Sequence, residues 1–284
     1  MGIRDVLRPL QRWEQLDPAG EWLSGKVNQL VGTGPLKSLL SGTWLGHPLH
    51  PLLTDVPIGA LTAATVIDVL GGEDSAAASD ALTVLGLLAV APTAVSGLSD
   101  WADTVGPERR LGLVHALANA GGSALFLAAL LSRRSGNRGT ARLFSAAGLG
   151  ALSAGGYIGG HLVFARGIGV DHTVFDEPPE SWTRVARQAD VQPDTPLLVH
   201  AGAYGILLYS HAGTAHAIAA RCTHAGGPLA EGEVDSDLCV TCPWHGSRFR
   251  LADGSVAGGP ATSPQPAFEV RVSEGSLEVR VRPE

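Results

Sequence analysis

Two pairs of cysteine and histidine in the last third of the chain carry the residue types that bind metals. Each pair is followed by glycine, at Gly226, Gly227 and Gly246. Glycine lets backbone amides turn inward and donate hydrogen bonds to sulfur. A bare zinc ion does not need this surrounding layer of donors. Two thiolates and two imidazoles complete a four-ligand site, and zinc accepts the same ligand set. The pairs are Cys222 with His224 and Cys242 with His245.

The sequence around both pairs resembles that of a known family. The segments Cys222-Thr223-His224-Ala225-Gly226-Gly227-Pro228-Leu229 and Cys242-Pro243-Trp244-His245-Gly246-Ser247 resemble the paired loops of Rieske 2Fe-2S domains. The resemblance extends over roughly residues 182–282. Within that range, Gly258-Gly259-Pro260 is similar to the proline-containing loop that covers the cluster in this family.

The resemblance implies a 2Fe-2S cluster with Cys222 and Cys242 on one iron and His224 and His245 on the other. Two ferric ions, two sulfides and two thiolates have no net charge, whereas an all-thiolate cluster is doubly negative. An electron therefore adds more easily, and such centres have reduction potentials of about −150 to +300 mV. Because reduction leaves a negative charge beside two imidazoles, electron uptake is expected to be linked to histidine protonation.

Positions near the ligands distinguish branches of the Rieske family. The respiratory quinol-oxidising branch joins its two loops by a disulfide, but the matching positions here are Gly227 and Trp244. Ser247 matches a serine that donates to sulfur, whereas Phe249 stands where that branch has tyrosine. The domain is therefore similar to ferredoxin-type Rieske proteins. We expect a potential in the lower part of the range, because fewer donors stabilise the reduced cluster less.

Short segments with alternating apolar residues surround these loops and predict a small antiparallel β-domain over 182–284. Cys239, three residues before Cys242, is interpreted as a buried apolar residue rather than a spare ligand or redox thiol. The predicted strands include 197–199, 205–209, 215–219, 268–272 and 277–281.

Long apolar segments earlier in the chain predict a membrane domain. Each has about 20 residues, the length that crosses a hydrocarbon core of roughly 30 Å. A water-soluble bundle is the alternative, but these segments lack charged outward stripes. The predicted fold is therefore multidomain, with an all-α transmembrane four-helix bundle followed by an all-β Rieske-type domain. The predicted spans are 52–70, 81–98, 111–131 and 143–165.

The sequence divides around these spans. Residues 1–45 predict amphipathic helices at the membrane interface, although packing against the bundle is equally compatible. The four-helix domain covers 46–170, and 171–181 is the predicted linker. The segment His47-Pro48-Leu49-His50-Pro51 resembles the start of a family of predicted four-helix membrane domains of unknown function, often fused to iron–sulfur domains.

Five polar side chains are predicted near one face of the membrane domain. Ionisable residues are costly in a membrane, so a convergent set is a functional hypothesis. The set could bind a further metal ion, a haem between His115 and His161, or a quinone head group. Alternatively, each histidine hydrogen-bonds to a neighbouring helix or caps a terminus. The set consists of His47, His50, Asp55, His115 and His161.

Charge and cysteine content restrict the function. Lysine and arginine number 20 against 27 acidic residues, which argues against nucleic-acid binding. Residues 176–284 carry 14 acidic and 8 basic residues, a net charge of −6, which favours docking to a basic surface on a redox partner. Three cysteines make no disulfide framework and indicate thiolate chemistry or metal ligation in a reducing compartment.

These observations predict a membrane-anchored one-electron carrier, a component of an oxidoreductase system rather than a stand-alone catalyst. Its expected partners are membrane lipid and a reductase, ferredoxin or oxygenase, with electron exchange also expected at a redox centre or quinone of the membrane domain. The alternatives are a small membrane oxidoreductase with a haem, metal or quinone site, and a redox sensor. The expected location is a bacterial-type plasma membrane, crossed several times. We expect the Rieske domain on the cytoplasmic side, because no signal peptide is recognised and the thiols are unpaired.

Overall fold

The computed structural model describes residues 3–72 and 75–283, so Met1 and Glu284, the outer ends of the predicted domains, lie outside the described residues. The chain divides into two compact units. One is helical and contains Met1–Leu30 and Leu49–Ile168. The other is mainly β and contains Val31–Pro48 and Gly169–Glu284.

Seven α-helices lie within the described residues, and the last four have 22 to 29 residues each. These four contain the predicted spans, which confirms a helical membrane-type domain before the β domain. The helices are α1 (Ile3–Gln11), α2 (Asp17–Val31), α3 (Pro35–Ser41), α4 (Leu49–Leu70), α5 (Ala76–Trp101), α6 (Gly106–Arg134) and α7 (Arg138–Arg166).

Among the described residues, fewer helices have the composition of a membrane span than have its length. In the part of the chain that the structure describes, α4, α5 and α6 are long and apolar enough to cross a membrane. Helix α7 is as long as α6 but is not among these three helices. Its N-cap is Asn137, whose side chain accepts a hydrogen bond from the Thr140 N–H, and its C-cap is Gly167 in the left-handed conformation.

The helical unit buries both apolar and ionic groups. Leu7 of α1 packs with Leu111 and Leu162, so α1 lies against the bundle, the second of the two arrangements that its sequence allows. Arg133 of α6 is also buried and donates to Asp68 and Asp80, each over 2.6 Å. A charge at this depth requires such partners.

The β unit contains two antiparallel sheets, with strand orders β1-β10-β9-β4-β3-β2 and β5-β6-β7-β8. The five predicted strands are confirmed as β2, β3, β4, β9 and β10. The second sheet has strands of only two or three residues, too short to show a period of two. The strands are β1 (Thr183–Arg187), β2 (Leu197–Ala201), β3 (Tyr204–His211), β4 (Thr214–Ala219), β5 (Glu233–Val234), β6 (Cys239–Thr241), β7 (Arg248–Arg250), β8 (Val256–Gly258), β9 (Ala267–Ser273) and β10 (Ser276–Val281).

Strand β3 is buried on both faces and separates two apolar clusters. Ile206 and Leu208 belong to one cluster, whereas Leu207 and Tyr209 belong to the other. Alternate side chains of a strand point to opposite faces, which explains its continuous apolar sequence. The cluster that contains Leu207 also contains both cysteines of the metal-binding pairs, so the site is built on a packed core.

Candidate metal centre

The two cysteine-histidine loops have the same backbone geometry. The first follows β4, and the second connects β6 to β7. In the first, the Cys222 N–H donates to the Gly227 carbonyl over 2.8 Å. In the second, the Cys242 N–H donates to the Ser247 carbonyl, also over 2.8 Å. The same turn therefore presents each pair.

Each turn depends on a glycine. Gly226 and Gly246 have φ of 78° and 75°, and their N–H groups donate to the Cys222 and Cys242 carbonyls. Side chains other than glycine's are strained in this left-handed region. Both glycines stand close behind a ligand pair in the sequence, and their positive φ is the physical reason that glycine is needed there.

The thiols of Cys222 and Cys242 form a buried pair. Their residues are 1% and 3% exposed. A hydrogen bond from Cys222 lowers the pKa of Cys242 to about 6 against the opposing effect of burial, and the Trp244 and His245 N–H groups also lower it. The pKa of Cys222 is raised mainly by its hydrogen bond with Cys242 and next by burial. Its sulfur accepts from the His224 and Ala225 N–H groups, which act in the opposite direction. Backbone donors thus surround both sulfurs.

The imidazoles of His224 and His245 form a second pair. Their ring centres lie 5.1 Å apart with the planes nearly perpendicular. Burial is the main cause that lowers the pKa of His224 to about 3, and the charges of His245, Lys37 and His172 act in the same direction. His224 is therefore neutral at physiological pH, the form in which imidazole binds a metal.

Gly227 allows the close approach of the two loops. A Cβ atom at this position would lie 2.8 Å from the Cys242 sulfur and 3.1 Å from the Trp244 ring. Gly227 matches a disulfide-forming cysteine of the respiratory branch. Here the second ligand loop occupies the space that a side chain at this position would need. Trp244 itself is 57% exposed, whereas both thiols are covered.

A third loop, after β8, completes the site. The Ala261 N–H donates to the Ser247 hydroxyl over 3.0 Å, and the Thr223 hydroxyl donates to the Ser263 carbonyl over 2.9 Å. Phe249 is fully buried beneath these loops. The loop that the sequence compared with the cluster-covering loop is thus hydrogen-bonded to both ligand loops.

The arrangement fits a two-iron cluster. The four side chains form one thiol pair and one imidazole pair, which suits two metal atoms with two protein ligands each. No three His, Cys, Asp or Glu side chains within residues 3–72 and 75–283 are placed to hold a single ion. Backbone N–H groups directed at both sulfurs are suited to stabilise the charge of a cluster.

The structure brings together two of the five polar residues predicted in the membrane domain. The rings of His50 and His115 have centres 6.3 Å apart, and each Nδ1 donates to a backbone carbonyl, of Thr93 and Gly155 respectively.

The other three predicted residues have separate surroundings. Asp55 is exposed, and His161 contacts Gln11 over 3.3 Å. His47, also exposed, donates from Nδ1 to the Pro48 carbonyl and belongs to the β unit.

Residues 31–48 also contribute to the β unit, although the sequence groups 31–45 with the interfacial helices and 46–48 with the four-helix domain. The Gly259 N–H donates to the Ser38 hydroxyl, and the Thr43 hydroxyl donates to the Ala261 carbonyl, both over 2.9 Å. No motif in the sequence predicts these contacts, because serine and threonine at these positions are ordinary for a surface helix.

Comparisons with known proteins agree with this site. Residues 181–269 match the Rieske [2Fe-2S] domain, and residues 46–172 match a predicted membrane protein family, DUF2231. Ferredoxin CarAc of Metapseudomonas resinovorans is 36% identical over 99 residues, which cover 34% of this chain and 92% of that protein. The 3-phenylpropionate/cinnamic acid dioxygenase ferredoxin subunit of Escherichia coli (strain K12) is 35% identical over 72 residues, covering 25% and 68%.

Among solved structures, the chain is similar to the ferredoxin of carbazole 1,9a-dioxygenase from Nocardioides aromaticivorans IC177, with 24% identity and a TM-score of 0.34 over 36% of this chain and 99% of that chain. Because the chain spans 92% of a ferredoxin to which it is 36% identical, it belongs to the Rieske [2Fe-2S] family, as a ferredoxin-like electron carrier with a DUF2231-type membrane domain.

Proposed function

We propose that the protein is a membrane-anchored carrier of single electrons, with a 2Fe-2S cluster held by Cys222, Cys242, His224 and His245. The observation that carries this proposal is that the two ligand loops present a pair of buried thiols and a pair of adjacent imidazoles. When bound, the cluster supplies one-electron redox chemistry. Zinc is the weaker interpretation, because a structural zinc site directs all four ligands at one ion.

The protein residues have separate tasks in this proposal. The two cysteines bind as thiolates, and backbone N–H groups of His224, Ala225, Trp244 and His245 stabilise their charge. The core beneath the loops excludes water from the sulfurs. Exposed Trp244 adjoins His245, so a partner that contacts this tip lies near the imidazole side of the site.

We further propose that the apolar helices anchor the carrier in a membrane, with several crossings and the cluster domain on the cytoplasmic side. Support for anchoring comes from the three helices that are long and apolar enough to span it. The partner is a soluble redox protein with a basic surface, because residues 176–284 have a net charge of −6. Related proteins are dioxygenase ferredoxins, which supports an oxygenase or reductase as the natural partner.

Electron transfer from the reduced protein to a basic acceptor protein should depend on salt. We expect the second-order rate with cytochrome c to fall about tenfold or more between 10 mM and 200 mM salt, because salt screens attraction between exposed charges. Stopped-flow absorbance on the full chain in detergent measures this rate. An acidic acceptor protein is the control and should react faster as salt rises. A salt-independent rate with both acceptors would contradict the proposed basic partner.

The membrane domain has a second candidate role, as a site for a further redox centre. The specific observation is that the His50 and His115 rings lie 6.3 Å apart, edge to face, with both Nδ1 protons held by backbone carbonyls. The neutral His50 ring then keeps its lone pair on Nε2, the arrangement typical of histidines that bind a metal ion or haem iron. On His115, the Asn119 amide donates to Nε2 over 3.2 Å, so a ligand there would have to displace it. A quinone head group could instead hydrogen-bond to these nitrogens.

His115→Ala should leave the 2Fe-2S signal unchanged and remove only the occupant of the helical unit. The reason is that His115 bonds to Gly155 of α7 and belongs to a different compact unit from the cysteines. Iron analysis and the visible spectrum separate a haem band from the cluster absorbance. His161→Ala is the control and should retain any occupant. Loss of the cluster signal in His115→Ala would contradict two separable sites.

A further inference from the structure

Residues 33–43, here called the α3 wall, lie against two of the three loops of the candidate cluster site. On the third loop, Gly259 donates to Ser38, and Thr43 donates to the carbonyl of Ala261. A Cβ atom at Gly259 would lie 2.2 Å from the Thr43 hydroxyl. The fit between the wall and this loop therefore leaves no room for a side chain.

The α3 wall also contacts the second ligand loop. Gly246 directly follows His245, and a Cβ atom there would lie 2.8 Å from the Thr33 methyl carbon. Thr33 thus packs next to a proposed iron ligand. The wall is consequently held at both of its ends, by Thr33 on one loop and by Thr43 on another.

Between these anchors lies Lys37, which is 2% exposed. Lysine is almost never buried to this extent unless it is paired or hydrogen-bonded. Lys37 directly precedes Ser38 in α3, so it lies next to the residue that accepts from the third loop. The chain has one other lysine, Lys26, which is exposed on α2.

We propose that Lys37 raises the reduction potential of the cluster and that the α3 wall holds its ammonium group in place for this purpose. The inference rests on the proposed function. Reduction adds one electron, taken from a one-electron donor protein, and breaks no bond in the chain. The cluster with its ligands changes from neutral to singly negative, so a nearby buried cation stabilises the reduced state more than the oxidised state. Because Lys37 is buried, salt screens this effect little.

Lys37→Met should lower the midpoint potential of the intact protein. We expect the ratio of reduced to oxidised cluster at a fixed potential to fall about tenfold, which is 59 mV for one electron. An anaerobic potentiometric titration of the full chain, followed by visible absorbance and electron paramagnetic resonance, measures the midpoint. Lys26→Met removes the same charge from an exposed site and should leave it unchanged. Lys37→Arg keeps the charge and should stay near the wild-type value.

A second variant tests the wall without touching the lysine. Ser38→Ala combined with Thr43→Val removes both hydrogen bonds to the third loop and should lower the potential in the same direction, by a smaller amount. If Lys37→Met does not bind iron, the double variant and Lys37→Gln test the effect of Lys37 on the potential in its place. If a variant without the Lys37 charge binds the cluster and its ratio of reduced to oxidised cluster stays within twofold of wild type, the inference about Lys37 is wrong and the proposed function stands. If the wild-type protein has no 2Fe-2S cluster, the proposed function itself is wrong.

Discussion

Cys242→Ala is expected to abolish the cluster, leaving the purified protein without iron, sulfide or visible absorbance. The thiol of Cys242 is paired with Cys222 and receives backbone N–H groups from Trp244 and His245. Without it, one iron would keep a single protein ligand. Inductively coupled plasma analysis and acid-labile sulfide on anaerobically purified protein measure the loss.

Cys239→Ala is the matched control, because Cys239 is also a buried cysteine, three residues earlier on β6. Its Sγ donates to the Asp237 carbonyl over 3.8 Å, and the residue is 2% exposed. We expect two irons per chain in this variant and a stability loss of about 1 kcal/mol. Retained iron in Cys242→Ala, or lost iron in Cys239→Ala, would contradict the ligand assignment.

Arg133→Met is expected to destabilise the helical unit by about 3–5 kcal/mol, the cost of leaving a buried charge without its partner. The Asp68 carboxylate is 0% exposed and 2.6 Å from the guanidinium, which also donates to Asp80 and Thr83. Thermal or chemical unfolding of the full chain in mild detergent, followed by circular dichroism, measures the change.

Two companion variants make this prediction specific. Arg134→Met removes the neighbouring arginine, which is 61% exposed with its Nε 3.9 Å from Asp80, and should change stability by less than about 0.5 kcal/mol. The double variant Arg133→Met with Asp68→Leu removes both buried charges and should recover most of the loss. Equal stability of Arg133→Met and Arg134→Met would show that the buried network contributes little.

The cluster loops could be predicted from the sequence because each is a local structure. All atoms of one turn lie within six residues, from Cys222 to Gly227, so the ligands and the glycine that shapes the turn are adjacent in sequence. The α3 wall could not be predicted in this way. The Ser38 contact with Gly259 joins residues 221 positions apart, and neither residue type signals it.

The position of a residue along a predicted span does not decide which residues meet, because the direction in which the side chain leaves the helix also matters. Position along the spans placed five polar residues near one end, but only His50 and His115 are brought together, while Asp55 is exposed. Arg133 is similar, since it lies two residues beyond the end of the predicted span 111–131. The structure instead includes it in the last turn of α6 and buries it against Asp68 of α4.

The central claim is tested most directly by pulsed electron paramagnetic resonance of the dithionite-reduced wild-type protein, with iron and sulfide determined on the same sample. The account predicts two irons per chain, one unpaired spin per cluster, and hyperfine couplings to two imidazole nitrogens, which are lost with the cluster in His224→Ala. A colourless protein with one zinc ion, or a cluster without nitrogen couplings, would contradict it.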